Sequence, residues 1–248
     1  MSGAEVPVLA VVVVTRAGGS LARALDSVAW AVERAVLDPA GEVAAQALPP
    51  GVRLARDATQ VATLGSAPWM LLMAEHEVAA AGLESDVARV VGQGASGGRR
   101  VSVEVDTLGV RRVPRYAAVR LAPRETACVV VERGLELGLA GGQGDEQRLT
   151  TGLCASRGAS IDEAVSLLGT ESGALSVLLA RQGPALGVLG ISLSALTAAA
   201  RLLLARAPTR PGIARWLAMV FAGYRVVLAN ARAWEWRRAQ PVALREIE

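Results

Sequence analysis

The stretch Leu9–Asp38, LAVVVVTRAGGSLARALDSVAWAVERAVLD, decides how this chain reads. From Val8 to Thr15 the residues are mostly β-branched and continuously apolar, which suits a strand covered on both faces, as in a parallel sheet. Ala17-Gly18-Gly19 then reads as a turn. Ser20 is placed to cap a helix over 21–35, in which Leu21, Ala24, Leu25, Val28 and Val32 recur at helical spacing. A short second strand ends at Asp38. The unit is β-α-β, and it leaves Thr15, Arg16 and Asp38 at the carboxyl ends of two strands. In open α/β sheets that edge binds ligands.

The pattern continues outward. A short helical piece over Glu42–Leu48 stops at Pro49-Pro50-Gly51. Val52–Ala55 reads as a third strand, and Asp57 as the cap of a helix running toward Ala67. Trp69–Met73, WMLLM, is another buried strand, so Ala74-Glu75-His76-Glu77 falls at a carboxyl end again. The only histidine of the chain therefore lies at the ligand edge, between two glutamates. Gly82–Gly94 is the next helix, closed by Gly92 and Gly94, and ASGGRR (95–100) is a loop. Residues 101–110, 116–122 and 127–133 then alternate like strands with no long helix between them. An alternating α/β half is followed by a β-rich half.

Composition narrows the function classes. At 248 residues the chain can bury a sizeable core. It is 52% apolar but only 3% aromatic, and all of its basic residues are arginines. A formal charge of +3 gives little support to nucleic-acid binding. Two cysteines, Cys128 and Cys154, make neither a disulfide framework nor a metal site and read as buried or half-buried thiols of a reducing compartment. The N-terminus lacks the basic region of a signal peptide, so the main domain is expected in the cytoplasm.

The last third is helical from about Ser160. Gly183–Ala200 carries no charge, reaching the lower limit of a spanning helix, although the same length suits a buried core helix. Past Arg201 the chain is rich in arginine, with Glu235 its single acid up to Arg238. In the final helix Trp216 and Trp234 lie about five turns apart and share a face, with Arg225 and Arg232 on the opposite flank. Tryptophans and arginines around an apolar helix are the composition of an interfacial helix on an anionic membrane.

Together these pieces resemble glycosyltransferase family 2, which has the GT-A fold, and within it the membrane-associated enzymes that extend lipopolysaccharide core or similar surface glycans. Leu25, Asp26, Ser27, Val28, Trp30 and Asp38 occupy the places of the family's leucine-acid-serine-valine step, its tryptophan and its strand-ending aspartate. APWMLLMAEHEV resembles the tryptophan-led strand that ends in Asp-X-Asp-Glu-Val, and Val119–Ala122 the later Arg-Leu segment. PTRPGIARWLAMVFAGYRVVLANARAWEW resembles the C-terminal membrane-associating segment. The resemblance implies an α/β, GT-A-like domain with a mostly parallel sheet flanked by helices over 1–160. Amphipathic and hydrophobic helices follow over 161–248.

The departures fall on chemistry. In an active relative the two aspartates hold a divalent cation that neutralises the diphosphate leaving group. Here Ala74, Glu75 and His76 stand in those places, and only the trailing Glu77 is kept. If strand alternation continued, Ala74 and His76 would share one face, and Glu75 and Glu77 the other. Ala17 and Gly18 replace a polar Asn-Glu pair, and Glu132 lacks the histidine that precedes it in the family.

The resemblance thus implies a nucleotide sugar at Thr15, Arg16 and Asp38, and a metal (Mn²⁺ or Mg²⁺) weakened at Glu75 and His76 or absent. Glu77 and Glu132 are the candidate bases for a glycolipid or glycan acceptor. The expected place is the cytoplasmic side of the inner membrane, peripheral or monotopic. Two functions follow: an enzyme of cell-surface glycan assembly, or an inactive pseudo-glycosyltransferase serving as a membrane-bound binding or scaffold subunit.

Overall fold

The structure, a computed structural model, describes residues 6–15, 21–94, 97–107, 110–114, 118–131, 137–140, 147–156, 161–182, 187–204 and 213–239. The first half forms strands β1 (Val6–Val13), β2 (Ala31–Leu37), β3 (Val52–Ala55), β4 (Trp69–Ala74) and β5 (Glu77–Ala79), with helices α1 (Leu21–Ser27), α2 (Ala58–Val61) and α3 (Leu83–Gly92). The β-rich part adds β6 (Arg99–Val101), β7 (Val103–Thr107), β8 (Val110–Pro114), β9 (Ala118–Pro123), β10 (Cys128–Val131), β11 (Leu137–Ala140), β12 (Gln147–Arg148) and β13 (Leu153–Ser156). Three long helices close the chain: α4 (Ile161–Gln182), α5 (Val188–Leu204) and α6 (Ile213–Ala239).

The main sheet runs β12-β6-β9-β4-β1-β2-β3. Its centre is parallel, with β4, β1, β2 and β3 side by side, as a run of strands buried on both faces requires. Strand β9 enters antiparallel against β4 and β6. A smaller sheet, β5-β13-β7-β8, and the β10-β11 hairpin complete the β structure.

The two faces of β1 lead to two cores. Val8, Ala10 and Val12 pack with Ala24 and Leu25 of α1 and Leu83 and Val87 of α3. Leu9, Val11 and Val13 pack with the hairpin and with Leu175 and Leu178 of α4 and Val226 and Ala229 of α6. The C-terminal helices thus supply part of the sheet's second covering layer. Each of those buried leucines and valines contributes about 1.5–3 kcal/mol through its removal from water.

Several expectations change. The helix expected over 21–35 ends at Ser27, and the chain returns as a strand at Ala31. Pairing along β1 wins over helical periodicity because Ala35, Val36 and Leu37 are buried between the two layers. Val32, counted in the helical stripe, is 44% exposed. Only Ala45–Ala47 forms a helical turn, of 3₁₀ type, within 42–48. Asp57 caps its helix by accepting from the Thr59 amide at 2.9 Å, but that helix is a single turn. The cysteines are exposed rather than buried, and neither is in a disulfide. Ser20 lies outside the described residues.

Glycine is required at position 65. Its φ is +75°, and a Cβ there would sit 2.0 Å from the Glu33 carboxylate. That carboxylate accepts from the amides of Ser66 and Ala67 and thereby fixes the entry to β4.

Candidate functional site

The parallel strands end level. Val13 is in register with Leu37 of β2 and Ala74 of β4, and Leu37 with Ala55 of β3. Backbone bonds extend each ladder by one residue: Glu75 N–H donates to Val13 O at 2.9 Å and Asp38 N–H to Ala55 O at 2.9 Å. Thr15, Asp38, Arg56 and Glu75-His76 therefore stand along one edge. The chain steps from β1 to β2 to β3 on one side, and β4 returns to the other side of β1. The β1/β4 boundary is thus a topological switch point, where ligands of open α/β sheets bind.

Thr15 and His76 meet there. Thr15 Oγ1 lies 3.1 Å from His76 Nδ1, and both residues are buried. On the other side of the ring, His76 Nε2 lies 3.9 Å from Glu171 Oε1 of α4. Arg225 of α6 donates to that same carboxylate oxygen at 3.0 Å. A neutral imidazole satisfies its neighbours when Thr15 donates to Nδ1 and the proton sits on Nε2, facing Glu171.

The alternation expected along Ala74–Glu77 is broken by a turn at Glu75-His76 between β4 and β5. That turn brings Glu77 back toward the strand it left. Its Oε2 accepts from the Ala74 amide at 2.8 Å, and its two oxygens take both arms of Arg120 of β9 at 3.2 Å each. Both side chains of this ion pair are nearly fully buried. Three protein donors thus take up most of the Glu77 carboxylate's accepting capacity.

Asp38 is fully buried. Its Oδ1 accepts from Gly41 N–H at 3.0 Å, and its Oδ2 from Val43 N–H at 2.7 Å and from the Arg56 guanidinium. Asp38 therefore shapes the loop after β2 and holds Arg56, whose side chain is 41% exposed at the edge. Glu75, in the turn itself, is buried. Arg16 and Glu132 lie outside the described residues.

The second half of helix α4 accompanies this edge. Glu171 reaches His76 past β4. Arg181, ten residues on, donates to Arg56 O at 3.0 Å and to Asp57 at 3.2 Å past β3. Ten helical residues span about 15 Å, and the three strand spacings from β4 to β3 span about 14 Å. The Glu171–Arg181 segment matches the width of the parallel part of the sheet. Asp57 is held below its ordinary pKa, first by the Thr59 amide and further by Arg181, against the opposing effect of burial.

These donors do not fit the divalent cation that the resemblance implies. A hard cation takes about six oxygen ligands, with carboxylates prominent. Of the two residues expected to hold it, Glu75 brings one buried carboxylate and the His76 ring is engaged by Thr15, while Ala74 offers no ligand and Glu77 is engaged by Arg120. Among the described residues no group of three His, Cys, Asp or Glu is arranged to hold a metal ion.

Sequence reasoning brought Thr15, Asp38, Glu75 and His76 to one edge, and they do share it. It missed Arg56, Arg120, Glu171 and Arg225. The last two carried a signal: each is a lone charge inside an apolar helical run, LLGTESGALS and AGYRVVLA. The flank assigned to Arg225 and Arg232 also changes its meaning. Both turn toward α4, Arg225 to Glu171 and Arg232 to Gly169 O and Ser172 Oγ.

No family model and no curated protein matches this chain. Among solved structures it is similar to the crystal structure of S. aureus TarS 1-349, at 10% identity and a TM-score of 0.38, covering 94% of this chain and 92% of that one. It is similar also to S. aureus TarS 1-349 in complex with UDP, at 9% identity, a TM-score of 0.38 and the same coverages. At such identities the chemistry of the site rests on its own residues.

Proposed function

We infer that this chain is a glycosyltransferase-like protein that binds a nucleotide sugar at the β1/β4 switch point, and that it does so without depending on a divalent cation. The observation that carries the reading is the convergence of Thr15, Asp38, Arg56 and the Glu75-His76 turn on one strand edge. Polar side chains gathered where parallel strands stop are what a phosphorylated, hydroxyl-rich ligand requires. Arg56 supplies a part-exposed cation at that edge, held in place by Asp38.

The wider reading is assembly of a cell-surface glycan of lipopolysaccharide type at the cytoplasmic face of the inner membrane, with a glycolipid or glycan acceptor. Its support is the order of family 2 motifs along the chain and the exposed apolar side chains of α5 and α6. Leu189, Leu193 and Leu196 on α5, and Trp216, Val220, Tyr224 and Val227 on α6, all face outward. Among the described residues one helical stretch, Ile161–Arg181, is long and apolar enough to cross a bilayer by length and composition. Its Leu175 and Leu178 lie against the sheet, so the lipid-facing role is assigned to α5 and α6.

One observation favours a second reading, in which the chain binds the nucleotide sugar but transfers nothing. Glu77, the family-positioned acid nearest the site, is committed to Arg120. An acceptor hydroxyl needs a free base within about 3 Å to take its proton, and in the family's pattern that base is a carboxylate.

A panel of uridine and guanosine diphosphate sugars, each with Mg²⁺, with Mn²⁺ and with a chelator, tests the reading by thermal protection. Protection by one nucleotide class in chelator is expected. Donor turnover with a membrane extract as acceptor separates the enzyme from the binding subunit. Protection by nothing in the panel contradicts both.

A further inference from the structure

We propose that Glu171 is a positioning residue of the switch-point site, so that the C-terminal helices set the geometry of the Glu75-His76 turn. The proposal rests on the nucleotide-binding reading above for its ligand, and on four buried side chains for its mechanism. Thr15 at the end of β1 meets His76 Nδ1, His76 Nε2 faces Glu171 of α4, and Arg225 of α6 holds Glu171. All four are at most 9% exposed.

The chemistry explains why these helices carry charges inside apolar sequence. A buried carboxylate is costly unless paired. Arg225 supplies the pairing and leaves Glu171 oriented toward the imidazole. The imidazole in turn is bonded on its Nδ1 side by Thr15 and has the Glu171 carboxylate 3.9 Å from Nε2, a charge that favours a proton on that nitrogen. Arg181 anchors the far end of the same helix at the Arg56-Asp57 corner. Helix α4 is thereby tied at both ends of the strand edge, to His76 at one and beside Arg56 at the other.

The test exploits His76 being the only histidine. Its ring nitrogens give a single set of signals in a long-range ¹H–¹⁵N spectrum, so its tautomer is read without assignment. The variants are Glu171→Gln alone and Glu171→Gln with Arg225→Gln, the second to avoid a lone buried arginine. Arg237→Gln is the control for His76: it removes bonds from α6 to Leu179 O and Ala180 O at the same helix interface, at the Arg181 end of α4 and away from the Glu75-His76 turn.

The expected result is a changed His76 ring signature in both Glu171 variants, an unchanged one in Arg237→Gln, and affinity for whichever diphosphate nucleotide protects the native chain, uridine or guanosine, lowered about tenfold in the Glu171 variants as the ring loses its charged neighbour. A His76 signature unaltered by Glu171→Gln overturns the proposal. So does an altered signature with undiminished nucleotide affinity, or an equal effect of Arg237→Gln, which would mark general helix packing. If the unsubstituted chain binds no nucleotide, the functional reading above fails, and the His76 signature alone then decides whether the helices govern the turn.

Discussion

His76, in the turn after β4, and Glu171, in the middle of α4, face each other with 3.9 Å between Nε2 and Oε1. They lie 95 positions apart in sequence, 171 minus 76, and on different layers of the fold. The position that the family resemblance gives to a metal carboxylate is here an imidazole held between a hydroxyl and a carboxylate.

The Glu77–Arg120 pair gives a stability prediction. Arg120→Met alone strands a buried carboxylate and is expected to cost about 3–5 kcal/mol, whereas the double variant Glu77→Gln, Arg120→Met recovers most of that loss. Urea unfolding midpoints of the two variants measure it. Equal losses in both would show that Glu77 is not held by the pair.

Acid sensitivity is expected at Asp86. Its pKa is lowered, first by the Thr151 hydroxyl and further by the Thr151 amide, with burial opposing and Arg89 adding to the effect. A depressed folded-state value means stability that is full above the unfolded carboxylate value of about 3.9 and is lost as pH falls through the lower folded one. Asp86→Asn is expected to cost about 1–2 kcal/mol at pH 7 and progressively less below about pH 4, where the unfolded-state carboxyl takes up its proton before the native one does. A cost independent of pH between 7 and 2 would contradict it.

Gly65→Ala is expected to destabilise by about 1–3 kcal/mol, since it combines a left-handed backbone with a clash. Adding Glu33→Ala removes the carboxylate that the new methyl meets but not the strain at φ +75°. Thermal melts of the single and double variants separate the two causes. A fully stable Gly65→Ala chain would refute the account of this loop.

Membrane association needs a surface test rather than a truncation. Removing 161–248 takes Leu175, Leu178, Val226 and Ala229 off the sheet face, so the remainder is expected to aggregate whether or not the chain meets a membrane. Replacing Leu189, Leu193, Trp216 and Val220 by serine leaves that core intact. This variant is expected to stay folded and to leave anionic vesicles in a flotation assay. Retention on vesicles equal to that of the native chain would remove the lipid-facing role from α5 and α6.

Most of the sheet was legible because buried parallel strands leave continuous apolar runs, as in Val8–Val14 and Trp69–Met73. Their carboxyl ends could then be aligned from the turns that follow. Helix α1 was overextended because Val28 and Val32 fit a helical stripe as well as a strand, and only pairing with β1 decides between them. The pairing of the charged residues was illegible for a different reason. Arg56, Arg120, Glu171 and Arg225 join the edge by tertiary folding across 18, 43, 95 and 54 positions, and no local spacing encodes such contacts. The arginines of α6 were read from composition as a membrane flank, yet Arg225, Arg232 and Arg237 all turn toward α4.

The most direct test of nucleotide binding at the switch point is a titration of uridine diphosphate and guanosine diphosphate sugars into the protein in chelator, read at the ring signals of His76. The account predicts a saturable shift of those signals with one nucleotide class, unchanged when Mg²⁺ replaces the chelator. Binding detected by calorimetry with the His76 signals unmoved, or no shift from either class at millimolar concentration, would contradict it.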